Sequence, residues 1–162
     1  MSISQEFFLS ILAMDSYNRG YDAGIGGLSE RSDGSISIGN ATISIKLSDL
    51  DMEGSAEASG FYAIAYDVGS GVEGIEAGTT VISYRGTNSF GGLFASDIFS
   101  GWAVGAGILS PTTYAPGAQG QLALDFYEDI TGQNPFATEG GNAILTGNSL
   151  GSGLAALVAG SC

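Results

Sequence analysis

Gly147-Asn148-Ser149-Leu150-Gly151 is the stretch of this sequence best equipped to react, because it matches the G-x-S-x-G pattern of a nucleophile elbow. The apolar run Asn142-Ala143-Ile144-Leu145-Thr146 precedes it and a run of small residues with helical character, Leu150 to Ala159, follows it. Strand, tight turn and helix are therefore predicted in the order that the motif requires. A serine on such a turn adopts strained backbone angles, and its neighbours must be small so that strand and helix do not block it. Gly147 and Gly151 satisfy that demand. The turn lifts the Ser149 hydroxyl clear of the sheet and aims the first amides of the following helix at the same point. Negative charge developing on a substrate oxygen would be stabilised there. The competing reading is a glycine-rich strand-to-helix turn in which Ser149 is merely an N-cap; in a chain with 27 glycines that reading stays open.

A second polar stretch, Arg85-Gly86-Thr87-Asn88-Ser89, follows the apolar run Thr79 to Tyr84 directly. A bend at the carboxyl end of a neighbouring strand is where a second N–H for an oxyanion hole is supplied. The segments Val81-Ile82-Ser83-Tyr84-Arg85-Gly86-Thr87 and Ile144-Leu145-Thr146-Gly147-Asn148-Ser149-Leu150-Gly151, together with Asp97 and the helical pattern Leu122 to Ile130, resemble the class 3 lipases, an α/β-hydrolase group of triacylglycerol lipases. The resemblance covers residues 60 to 160. It implies Ser149 as nucleophile, the backbone amides of Thr87 and Leu150 as oxyanion donors, and a lipid ester such as an acylglycerol as substrate. It departs at Asn148, where the family usually has a histidine that is not the general base. Asn148 still offers hydrogen bonds. Asp97, which precedes the nucleophile and lies near Trp102, is expected to fix the oxyanion loop by pairing with Arg85 rather than to serve as triad acid.

Ser-His-Asp chemistry needs an imidazole to take the serine proton and a carboxylate to orient it, and this chain has no histidine. In α/β-hydrolases the acid and base follow the nucleophile, yet Leu150 to Cys162 contain no acidic residue. The sequence thus reads as the front part of a hydrolase, one domain over 1–162 lacking two triad members, and is expected to be feeble toward esters alone. Lys46, the only lysine, lacks S-x-x-K spacing to a serine and reads as a solvated strand residue. Two rival functions stand beside the enzyme: a non-catalytic binding or assembly module that keeps the elbow as a turn, and an acidic calcium-responsive module.

The remaining motifs are weaker. Gly69, Gly71 and Gly74 spell G-x-G-x-x-G, but a β-branched strand follows where a dinucleotide site needs a helix, and Glu73 and Glu76 would repel phosphate. Asp49, Asp51, Glu53 and Gly54 imitate the opening of a calcium loop, yet Gly60 stands where a bidentate glutamate is required. A solvated acidic loop is the expectation there. With no histidine and a single cysteine, Cys162, zinc is excluded on composition, and no cofactor is expected.

These motifs need elements to hold them. Ser2 and Gln5 have capping-box spacing ahead of an apolar stripe, Ile3, Phe7, Phe8, Ile11 and Leu12, that predicts a helix to Asn18. Ile36 and Ile38, then Ile43, Ile45 and Leu47, alternate about Gly39-Asn40 and predict a hairpin. Asn40-Ala41-Thr42 also fits a glycosylation sequon, but turn geometry accounts for Asn40. Strands are predicted over Phe61–Val68 and Thr79–Tyr84, helical or irregular structure over Leu93–Phe99, and a glycine-broken strand over Gly101–Leu109. Leu122, Phe126 and Ile130 predict a helix from Ala118, ended by Gly132. Alternating strands and helices in the second half imply an α/β fold, a mixed hydrolase-like sheet covered on both faces, cut off after the elbow helix.

Composition bounds the rest. The 4 basic and 17 acidic residues leave a net charge of −13, which would repel a nucleic acid. No run approaches the roughly 20 apolar residues of a membrane span. The N-terminus lacks a basic region and carries Glu6 in its apolar stretch, so a conventional signal peptide is not expected. Export by another route and a cytoplasmic location both stay open. A truncated sheet would expose an apolar strand edge, which predicts self-association or association with a complementary C-terminal half.

Overall fold

A computed structural model describes residues 3–18, 37–46, 49–50, 52–85, 119–136 and 143–161. Helix α1 spans Gln5–Asn18. The predicted cap at Ser2 lies outside the described residues; the cap observed is Ser4, whose Oγ accepts the Phe7 N–H at 3.4 Å. Strands β1 (Ser37–Ile38) and β2 (Ala41–Lys46) form the expected hairpin, and helix α2 (Glu53–Ser59) follows. Strands β3 (Ala63–Val68) and β4 (Thr80–Tyr84) lie close to the predicted bounds. Helix α3 (Gln119–Thr131), strand β5 (Ala143–Gly147) and helix α4 (Leu150–Ser161) complete the described chain.

Helix α2 corrects the expectation of a solvated acidic loop. Its seven residues contain few apolar groups to form a stripe; Ala56 is buried, and Gly60 closes the helix end. Gly60 takes a left-handed φ of 71° and sends its N–H back to the helix carbonyls. The predictions over Leu93–Phe99 and Gly101–Leu109 fall outside the described residues.

The five strands lie in the order β1-β2-β3-β4-β5, with antiparallel pairing up to β4 and a parallel β4–β5 pair. Alternation along β4 divides the two faces. Ser83 meets α1, where its hydroxyl lies 2.7 Å from Ser16 Oγ. Tyr84 meets α3, donating its hydroxyl to the Ala123 carbonyl at 3.0 Å and packing edge-on against Phe126. Helix α4 lies beside α3, so the sheet carries helices on both faces, as the strand and helix pattern implied. β3 and β4 form the buried centre, including Ile64, Tyr66, Ile82 and Tyr84. On the α1 face the buried Asp15 carboxylate accepts the Tyr66 hydroxyl at 2.7 Å, supplying the partner that a buried polar group needs. The result is a mixed α/β architecture.

Asn40 occupies the hairpin turn, and its Nδ2 donates to the Ser70 carbonyl at 2.6 Å. The amide nitrogen that glycosylation would use is thus engaged in tying the hairpin turn to the connection after β3.

Candidate active site

Because β4 and β5 run parallel with Tyr84 opposite Gly147, Arg85 and Asn148 leave the sheet side by side at the carboxyl ends of their strands. That is where open α/β sheets bind ligands. β5 ends at Gly147 and α4 begins at Leu150, so the whole reversal is made by Asn148 and Ser149. The turn is closed by the Gly151 N–H on the Asn148 carbonyl at 2.9 Å and the Ser152 N–H on the Ser149 carbonyl at 3.0 Å. Ser152 adds a strap that sequence reasoning missed: its hydroxyl reaches back to the Gly147 carbonyl at 2.8 Å.

Ser149 has φ 54°, and among the described residues it is the only non-glycine with a positive φ. Holding an L-residue there costs about 1–3 kcal/mol. Its side chain is exposed and its hydroxyl makes no hydrogen bond among the described residues. A serine that served only to cap α4 would hold an extended backbone and accept an amide from the first turn with its Oγ. Here the backbone carbonyls of Asn148 and Ser149 take those amides instead.

The two flanking glycines are required for space. A Cβ on Gly151 would collide with the Tyr84 carbonyl oxygen and lie 2.7 Å from the Tyr84 carbonyl carbon. A Cβ on Gly147 would run into the Gly151 backbone and sit 2.8 Å from the Tyr84 oxygen. Strand end, helix start and the end of β4 are in backbone contact, which leaves the serine no path except outward.

Of the predicted supporting residues, Leu150 is half-buried as the first residue of α4, where its N–H belongs to the unsatisfied amides of the first turn. Asn148 is exposed. Arg85 is buried, donating Nη2 to the Gly60 carbonyl at 3.2 Å, with its guanidinium 5.2 Å from the centre of the Tyr62 ring. Thr87 and Asp97 lie outside the described residues. The corner after α2 thus contributes Gly60 and Tyr62, which sequence reasoning did not select. Its one legible signal was Gly60 itself, a helix-ending glycine just before an apolar run.

Among the described residues no group of three or more His, Cys, Asp or Glu side chains is placed to hold a metal ion, and no helix is long and apolar enough to cross a membrane. The structure defines a mixed α/β protein with a strained serine turn at the carboxyl end of its parallel strand pair. No protein-family model, curated protein or solved structure matches the chain.

Proposed function

We propose that the chain carries the nucleophile elbow of a lipase-like serine hydrolase of the α/β-hydrolase type, acting on carboxylic esters such as acylglycerols. The observation that carries this reading is Ser149 itself, exposed at φ 54° between two glycines with no room for a side chain. A sequence that wanted only a turn would put glycine at the left-handed position. Ser149 Oγ would bond to the ester carbonyl carbon while the N–H groups of Leu150 and Thr87 receive the oxyanion. The carbon–oxygen bond to the alcohol then breaks, the alcohol leaves with the proton lost by the serine, and water releases the acid from the acyl-enzyme. Arg85 and Asn148 would support the turn, and Asp97 the loop after β4.

The sequence holds no histidine to take the serine proton. The same fact favours a second reading, a binding or assembly module that keeps the elbow without turnover. A fluorophosphonate probe addresses the first reading directly. The expected result is a single adduct on Ser149, formed slowly for want of a base and absent from Ser149→Ala. A folded chain that forms no adduct would overturn the hydrolase reading and leave the module. Robust turnover of an activated aryl ester, abolished by the same substitution, would instead show that a base lies within the chain.

A further inference from the structure

The elbow rests against a wall made by Tyr84, the last residue of β4, and Arg85, which follows it. Gly151 abuts the Tyr84 carbonyl, and a Cβ on it would lie 3.0 Å from the Arg85 carbonyl carbon. Gly147 abuts the same Tyr84 oxygen. Where Ser149 sits therefore depends on where the Tyr84–Arg85 peptide sits, and both residues are held by groups outside the elbow. The Tyr84 ring lies between Phe61 and Phe126, at centroid distances of 6.2 and 6.5 Å, with its hydroxyl on the Ala123 carbonyl. Arg85 sends its own N–H to the Tyr62 carbonyl at 2.9 Å, its Nη2 to the Gly60 carbonyl, and its charge over the Tyr62 ring. The corner Ser59–Tyr62 is held in turn by Gln119 at the start of α3, whose Nε2 donates to the Ser59 carbonyl at 2.7 Å.

We propose that Arg85 is a positioning residue for the Ser149 turn, acting through its grip on Gly60 and Tyr62 rather than by touching substrate. A guanidinium suits this role because it can donate in its plane to a carbonyl while its face lies on an aromatic ring. A buried cation also favours fixed geometry, since burial makes each of its polar contacts costly to give up. Residues far from Ser149 in sequence would thereby set the angle at which its hydroxyl leaves the sheet. For its effect on reactivity the inference rests on the hydrolase reading; for its effect on the turn it does not.

The experiment reads both. Amide hydrogen exchange at Gly151 and Ser152 reports whether the turn stays closed, and the rate of fluorophosphonate labelling reports the hydroxyl. Arg85→Met is expected to speed exchange at those two amides by about tenfold relative to the amides of β3, the size of losing roughly one charge-assisted hydrogen bond. Arg85→Lys, which keeps a donor for Gly60, is expected to restore most of the protection. Tyr66→Phe, which loosens the opposite face of the sheet, serves as the stability control and is expected to change elbow and β3 amides in the same proportion. Equal exchange in Arg85→Met and the parent, or an acceleration spread evenly over β3 and the elbow, would overturn the proposal. If exchange behaves as expected while the parent forms no adduct, the positioning role stands and the hydrolase reading falls.

Discussion

Two glycine-rich reversals stand at opposite ends of β4 and use their glycines in opposite ways. In the connection from Gly69 to Gly78, glycines carry the left-handed conformations: Gly71, Gly74 and Gly78 have φ values of 97°, 77° and 87°. The backbone there is relaxed because each unusual angle falls on the residue that tolerates it. The connection is stitched to its surroundings by Asn40 and by Ile3, whose carbonyl accepts the Glu73 N–H at 2.9 Å. At the elbow the glycines have ordinary angles and are needed for room, while the left-handed angle falls on Ser149. One reversal is built for stability. The other keeps a costly conformation on a hydroxyl-bearing residue, as the proposed nucleophile role requires.

The sharpest way to break this contrast is to add one methyl group at each end. Gly151→Ala is expected to destabilise the fold by about 3 kcal/mol, since the colliding atoms are backbone and cannot rotate away. It should also abolish fluorophosphonate labelling of Ser149. Gly78→Ala meets nothing within 4 Å, so only its positive φ is penalised, at about 1–2 kcal/mol, with labelling unchanged. Equal losses in urea denaturation would show that space is not what the elbow glycines provide.

Ser149→Gly separates strain from function at a single position. Removing the side chain should stabilise the protein by about 1 kcal/mol through relief of the left-handed backbone, while every trace of adduct disappears. A destabilised Ser149→Gly would mean that the hydroxyl holds the turn together, as the capping alternative requires.

The two ends differ in charge as well. Glu73 and Glu76 sit in the first connection, whereas no residue from Ala143 to Ser161 is charged, in a chain of net charge −13. β5 has a strand neighbour on one side only among the described residues, and Phe7, Met14 and Tyr17 of α1 are exposed. Weak self-association is therefore expected by analytical ultracentrifugation, little affected by salt because the contact is uncharged. A monodisperse monomer at all concentrations would remove this expectation. The smallest effect concerns calcium: the melting temperature is expected to stay put on its addition, and a rise of several degrees would revive the acidic-module reading.

Much of this arrangement was legible in the residues. Leu122, Phe126 and Ile130 announced α3 through their spacing, and Gly39-Asn40 announced the hairpin turn, because local periodicity and turn chemistry act over a few residues. Gly147, Ser149 and Gly151 announced the elbow for the same reason. Helix α2 was not legible: its sequence has no apolar stripe, so the acids around it spoke louder than its helical tendency. Arg85 was singled out for a partner at Asp97, which lies outside the described residues. Its observed grip on Gly60 and Tyr62 joins positions brought together only by the β3–β4 pairing.

Types and spacing of residues thus settled most of the described strands and helices and the place of the Ser149 turn, since each of these depends on neighbours along the chain. Folding settled the rest. That Ser149 takes a left-handed angle with its side chain exposed, that Tyr84 leaves no room for a methyl group at Gly151, and that Arg85 is held by Gly60 and Tyr62 are consequences of distant segments meeting at contact distance. Close packing, not local preference, decides such meetings.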